Sequence, residues 1–254
     1  MSRDADERVN SLVKGLEVLK AFGRHHQPMN ITEVASETGL TPASARRMLL
    51  TLTGLGYVER EGKRFRVGPK VLDLGYSYMA STPLWQIVQP AIERLSESLK
   101  VSTSVAVLDG CEIVFTVRAN TRHVSSVLVS TGTRQPAHVT SMGRVLLAFL
   151  TPEQLDATLS LAKFERYTEK SLTDEAKLRL ILKEVRLQNY AIVDSEWEAG
   201  LKAVAVPLRN KRGDVVAAMN AAVYHSPLDT SYLKENVLPA MFEAAAQIRV
   251  NLPN

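Results

Sequence analysis

The residues best suited to chemistry lie between Asn30 and Gly68, NITEVASETGLTPASARRMLLTLTGLGYVEREGKRFRVG. Thr41 reads as the N-cap of a helix and Pro42 as its first residue. Ser44, Arg46 and Arg47 follow in its first turns, on positions left free by the apolar stripe Met48, Leu49, Leu52 and Leu55. Thr41 with the helix N-terminus suits a phosphate, and Ser44 with one of the arginines suits base edges. Lys63 and Arg64 mark the tip of a basic hairpin, with Arg60 and Arg66 close by, where cations meet a duplex backbone without choosing sequence. An arginine pair on a helix is ordinarily a solvated face. Here a Thr-Pro start, a short turn before it and a basic hairpin after it converge on DNA contact.

Other groups carry weaker signals. Ser141, preceded by Thr140, opens a helix whose free amides and dipole favour a carboxylate, although an ordinary N-cap has the same appearance. Arg118, Arg122, Arg134 and His138 are candidate counter-charges for an anion, and each also fits a surface or interface role. Asp194, Glu196 and Glu198 resemble a carboxylate pair for proton transfer. Alternation at a strand end turns all three to one side, which equally suits ligand orientation or a salt-bridged rim. Trp197 reads as core or pocket wall. His138 has no second histidine at metal-ligand spacing, so no zinc site is expected. Cys111 is the single cysteine, which excludes an internal disulfide, and it reads as a buried or half-buried structural thiol. No nucleophile elbow, Walker or dinucleotide motif occurs, so no catalytic residue and no cofactor is expected.

The elements that must position these groups follow from periodicity. Val9, Leu12, Val13, Leu16, Leu19 and Phe22 recur at helical spacing, and the helix is expected to stop near Gly23. Asn30 and Glu33 resemble a capping box for a second helix ending at Gly39. The recognition helix comes next, ended by Gly54 and Gly56. Tyr57–Arg60 and Arg64–Val67 then form a two-stranded wing. Pro69 to Ala80 reads as helix, and a longer helix with Pro90 inside it follows Pro83. Beyond it, Asp109 and Gly110 join strands Thr103–Leu108 and Glu112–Val117 in a hairpin. A strand is expected over Val124–Ser130, helices over Ser141–Leu150, from Thr151, and over Leu178–Asn189, and strands over Ala191–Asp194, Lys202–Arg209 and Val215–Val223. The last helix spans about Thr230 to Val250. Hairpins with helices gathered around them indicate an α+β module rather than a doubly wound parallel sheet.

The net charge of +4 is mild, but it is unevenly distributed. Arg8 to Lys70 holds eleven Lys and Arg against five Asp and Glu, whereas Ser81 to Asn254 holds nineteen against eighteen. The basic excess sits where phosphates would be met. The polar N-terminus lacks an apolar signal core, and no run of eighteen apolar residues occurs. A soluble, cytoplasmic, nucleoid-associated protein without membrane contact is expected.

The whole chain resembles the IclR family of bacterial transcription regulators. The resemblance is carried by the Asn30–Gly68 stretch, by Gly132–Ala148 (GTRQPAHVTSMGRVLLA) and by Tyr190–Asn220, which contains VDSEWEAGL, VAVPL, Gly213 and VVAAMN. Within the family, AHVTSMGRVLLA and the acidic run before Gly200 and Leu201 resemble the regulators of aromatic-acid and β-ketoadipate pathway genes. The resemblance implies a winged helix-turn-helix over 8–70, a linker helix over 71–83 and, over 84–254, a GAF-like α/β effector domain with a curved antiparallel sheet. It implies double-stranded operator DNA as partner, a homo-oligomer (dimer, or tetramer), and a small organic acid effector of the aromatic acid, muconate or β-ketoadipate class. The effector pocket of the family falls on Ser141, Met142, Asp194, Ala203, Asn220 and Ala222. Ala203, Asn220 and Ala222 replace the small or hydroxyl-bearing residues of glyoxylate-sensing relatives, a departure that touches the identity of the ligand. The alternative is an enzyme acting on small acids in the C-terminal part, tethered to DNA by the N-terminal part.

Overall fold

A computed structural model describes residues 9–25, 27–82, 84–119, 129–225 and 229–252. The chain divides into two compact units, Met1–Ser81 and Thr82–Asn254. Arg122 and most of the strand expected over Val124–Ser130 lie outside the described residues, and Val129 and Ser130 are irregular.

The first unit contains α1 (Asn10–His25), β1 (Met29–Asn30), α2 (Ile31–Thr38), α3 (Pro42–Gly54), β2 (Val58–Glu61), β3 (Arg64–Val67) and α4 (Leu72–Ala80). Asn30 and Glu33 close the capping box of α2, and Gly39 ends it in the left-handed region at φ 66°. Thr41 Oγ1 accepts the Ser44 amide, and Pro42 fills the first position of α3 where no amide hydrogen is needed. Val18, Ala21, Phe22, Val34, Leu49, Leu52, Val58 and Phe65 form one core that fixes the three helices against the hairpin. Helix α1 does not stop at Gly23 but continues to His25, where its last basic residues face the carboxylate of Glu37. Only its second half is buried; Val9, Leu12, Val13 and Leu16 remain exposed. The wing gains a third strand that the spacing did not reveal, because β1 pairs with β3 through Met29 and Phe65.

In the second unit α5 (Leu84–Leu99) precedes β4 (Ser102–Asp109), β5 (Glu112–Ala119), β6 (Arg134–Pro136), α6 (Ser141–Ala148), α7 (Pro152–Leu159), α8 (Glu175–Gln188), β7 (Ala191–Asp194), β8 (Leu201–Arg209) and β9 (Val215–Tyr224). The final helix runs as expected from Thr230, with α9 (Thr230–Tyr232) passing through a π-helical segment, Leu233–Val237, into α10 (Leu238–Asn251). Among the described residues the strands form one antiparallel sheet in the order β6-β5-β4-β9-β8-β7. Helix α6 packs on the face presented by Ala106, Ile113, Ala205 and Ala218. By alternation Val204, Val206 and Leu208 point the other way, and α10 packs against β8. Small side chains on the α6 face let that helix approach closely. Gly143 takes this to its limit: a Cβ there would overlap the Ala137 backbone, including its carbonyl oxygen. Gly143→Ala is therefore expected to lower the unfolding free energy by an amount on the order of 2 kcal/mol. Gly15→Ala, where nothing lies within 4 Å, should not destabilise. Urea unfolding of the two variants checks the contrast.

Candidate functional site

On α3 the exposed residues are Pro42, Ala43, Arg46, Arg47, Leu50, Thr51 and Gly54, and the N-cap Thr41 is exposed too. Arg46 and Arg47 are on the solvent face, as a DNA-reading pair requires. Ser44 is not: it joins Ala45, Leu49 and Leu52 in the buried stripe, and its Oγ finds no hydrogen-bond partner among the described residues. The expectation that Ser44 reaches base edges is corrected, because helical spacing places it over the domain core. Leu55, expected in that stripe, is 53% exposed beyond the helix end. On the wing Lys63 stands exposed at the turn. Arg64 is engaged at home, donating from Nη1 to the Pro28 carbonyl at 2.6 Å and pairing with Glu33 at 3.3 Å. Its guanidinium clips the wing to the start of α2.

The second site is a cavity of about 790 Å³ of empty space, mouth included, between the N-terminus of α6 and the concave side of the sheet. Thr140 caps α6 by accepting the Gly143 amide, which leaves the first-turn amides of Ser141 and Met142 unused by that cap. Ser141, Met142, Ala203, Asn220 and Ala222 all line the cavity. Asp194 does not: its carboxylate accepts from Ser195 Oγ at 2.7 Å and faces Lys170 at 3.6 Å. Ser102, Ser104, Gln135 and Tyr224 also line the cavity, and no expectation named them. A signal existed for two of these, because Ser102 and Ser104, two residues apart on β4, put hydroxyls on one face of the strand.

The cavity walls are largely apolar, with Phe115, Trp197 and Tyr224 supplying ring surfaces. Three buried side-chain atoms at its lining, Ser102 Oγ, Ser141 Oγ and Asn220 Oδ1, have no hydrogen-bond partner among the described residues. Such groups cost stability unless something in the cavity pairs with them. Arg118 brings a half-buried cation to the same lining, and burial lowers its pKa, the sign of a guanidinium stripped of part of its hydration. The arrangement can hold a small, mainly apolar molecule that carries an anionic group and a polar group.

The remaining candidate counter-charges take other roles. Arg134 spans Asp109 and Glu112 at 2.7 Å each, clasping the β4–β5 hairpin to β6. His138 is buried against Phe164 and Tyr167, and burial, with the Arg144 charge, pulls its pKa down to about 4, so it is neutral near pH 7. Strand alternation does not govern Asp194, Glu196 and Glu198, because β7 ends at Asp194 and Ser195 turns at φ 61°. Glu196 instead meets the buried Arg144 at 2.6 Å. Cys111 is half-buried, its thiol directed at the Leu161 carbonyl. Among the described residues no group of three or more His, Cys, Asp or Glu is placed to hold a metal ion.

Comparison with known proteins places both units in one family. The profile described as the bacterial transcriptional regulator IclR C-terminal domain matches residues 76–250, and the IclR helix-turn-helix domain matches 11–62. The chain belongs to the IclR family. It is 35% identical over 241 residues to the Pca regulon regulatory protein of Pseudomonas putida, covering 94% of this chain and 83% of that one. A Rhodococcus sp. RHA1 protein described as a transcriptional regulator superposes with a TM-score of 0.83 at 39% identity, over 96% of this chain and 98% of its own. An IclR homologue from Microbacterium hydrocarbonoxydans, solved in complex with 4-hydroxybenzoate, superposes with a TM-score of 0.82 at 26% identity, over 95% and 98% of the two chains. This IclR-family chain is thus a DNA-binding transcription regulator with an effector-binding domain, and the enzyme alternative is set aside because the family consists of regulators.

The depressed His138 pKa has a consequence for stability. Unfolding returns the imidazole to its ordinary pKa of about 6.5, so below that value the unfolded chain binds a proton that the native chain refuses. Stability is expected to fall as pH drops from about 6.5 towards 4, by an amount on the order of 3 kcal/mol. His138→Phe should flatten the dependence across that window. Denaturation midpoints at a series of pH values check it.

Proposed function

We propose that this IclR-family chain regulates genes for the breakdown of aromatic acids, and that a small aromatic acid in the α6 cavity alters its operator binding. The observation that carries this reading is the cavity lining: unpaired Ser102, Ser141 and Asn220 atoms and the Arg118 cation, set among ring surfaces. A hydroxylated aromatic carboxylate offers an anion to Arg118 and the Ser141–Met142 amides, a hydroxyl to the orphaned atoms, and a flat apolar body to the walls. The Pca regulon name of the Pseudomonas relative and the 4-hydroxybenzoate bound to the Microbacterium homologue agree with that chemistry. Ser141, Met142, Ala203, Asn220 and Ala222 are the effector residues of this reading, with Arg118 added and Asp194 left outside.

At the other end, Arg46 and Arg47 read base edges and phosphates in the major groove, Thr41 lies at the phosphate-facing helix start, and Lys63 touches the backbone beside the groove. A homo-oligomer, dimer or tetramer, accounts for the exposed apolar residues Val9, Leu12, Val13 and Leu16 on α1 and Leu72, Leu74 and Tyr76 on α4. Two recognition helices then meet a roughly palindromic operator. The site of action is the cytoplasm, at the nucleoid; among the described residues no helix is long and apolar enough to cross a membrane. Effector and DNA must influence each other reciprocally, because coupling is a property of the cycle.

A gel-shift panel of protocatechuate, 4-hydroxybenzoate, muconate and β-ketoadipate at fixed salt tests the effector. At least one aromatic acid should shift operator affinity, and Arg118→Met should weaken its binding by about tenfold or more. A panel in which no acid changes operator binding refutes the reading. On the wing, Lys63→Ala should weaken specific and random DNA alike and reduce the salt slope by about one. Arg64→Ala should do less to DNA affinity, since its guanidinium is held by Pro28 and Glu33.

A further inference from the structure

Trp197 belongs both to the cavity lining and to a cluster of rings. It lines the cavity. Its ring centroid lies 4.6 Å from that of Tyr167, the two planes tilted by 51°. Tyr167 in turn approaches His138 at 6.4 Å, and Phe164 approaches His138 at 5.0 Å, so a stack of rings backs this wall.

The loop carrying the indole is held mainly by its neighbour. Glu196 Oε2 accepts from Arg144 Nη2 at 2.6 Å and from the Leu172 amide at 3.1 Å. The Glu196 carbonyl accepts from Ser171 Oγ at 2.7 Å, and the Ser195 carbonyl from Thr168 Oγ1 at 2.6 Å. Both ends of the loop turn through left-handed conformations, Ser195 at φ 61° and Gly200 at φ 82°. The His225 ring fills the space a Cβ on Gly200 would need. Arg144 belongs to α6, whose first residues line the same cavity. The Arg144–Glu196 ion pair therefore ties that helix to the loop carrying Trp197, in addition to the packing of α6 on the flanking strands β7 and β8.

We propose that Trp197 selects ring-bearing acids over open-chain acids, and that Arg144 and Glu196 are its positioning pair. The inference rests on the cavity being the effector site. A flat ring laid against an indole that is itself backed by Tyr167 gains dispersion and quadrupole contacts that a flexible chain of similar length does not. Those contacts need the indole in one place, and a loop anchored by carboxylate, carbonyl and amide bonds supplies that constraint.

The test uses the full chain carrying Trp85→Phe, in which Trp197 is the only tryptophan, with benzoate and adipate as probes. Benzoate should quench the Trp197 emission and bind about tenfold more tightly than adipate. In the chain with Trp85 intact, Trp197→Ala should erase that preference by weakening benzoate alone, with adipate affinity held within about twofold, and Trp197→Phe should retain it. Glu196→Gln in the Trp85→Phe background should red-shift the emission and reduce the preference. If it does not fold, Arg144→Lys, which keeps the charge and loses the planar fork, gives the same readout. Equal losses for both acids in Trp197→Ala, or an unchanged preference and emission in the ion-pair variants, overturn the inference. A parent chain that binds both acids equally, prefers adipate, or binds neither overturns it and leaves the effector reading to the operator-binding panel.

Discussion

The Arg144 guanidinium is almost wholly withdrawn from water, with 4% of its side chain exposed, and its partner Glu196 is little better hydrated at 13%. A charge in that position persists only if it is paired and its remaining donors are used. Arg144 is paired through Nη2 with Glu196, and its Nε donates to the His138 carbonyl. Removing either partner leaves an uncompensated buried charge, which typically costs 3–5 kcal/mol. The pair dictates much of what surrounds it. It ties α6 to the loop after β7, and through the His138 carbonyl it holds the turn that leads into α6.

Once α6 is fixed this way, its other contacts follow. Gly143 allows the helix to rest on the Ala137 backbone, and the small residues Ala106, Ala205 and Ala218 admit it to the sheet face. Its N-terminus then opens onto a space lined by strands that it does not fill. The atoms left unpaired there, on Ser102, Ser141 and Asn220, lie beside a well-packed helix that cannot collapse onto them. Each such atom costs about 1–3 kcal/mol. A rigid frame with unmet hydrogen-bonding capacity is the physical content of a preorganised binding site. The first unit uses the same economy at smaller scale. Thr41 and the Asn30–Glu33 box satisfy helix starts locally, and Arg64 ties the wing to α2. Among the described residues, the Arg46 and Arg47 side chains have no ion pair or hydrogen bond that would compete with DNA.

Much of the fold was legible in the sequence because its signals are local. The β4–β5 hairpin turn, which falls one residue later than expected at Gly110–Cys111 with Gly110 at φ 60°, and the capped helix start at Thr151 act within a few residues. The winged order of α2, α3, β2 and β3 was legible for the same reason. What was missed depends on partners far away in the chain. Strand β1 exists only because Phe65 pairs with Met29. Ser44 carries a polar side chain typical of a surface, yet the angular position of its residue on α3 places it inward. Glu196 looked like one of three equivalent carboxylates until Arg144, fifty-two positions earlier, singled it out.

By itself, the sequence determined the family, the order of elements and the division between a basic DNA-facing part and a nearly neutral remainder. Caps, turns, periodicity and charge are properties of neighbouring residues, and the chain states them directly. The tertiary structure alone decided which of several similar side chains face the cavity, which cations are already spent, and which aromatic ring becomes a wall. Arg118 lines the cavity while Arg134 clasps a hairpin, although the chain offers both as basic residues in the same region. Their roles differ because desolvation and pairing are set by what folds against a residue, and that information is spread over the whole chain.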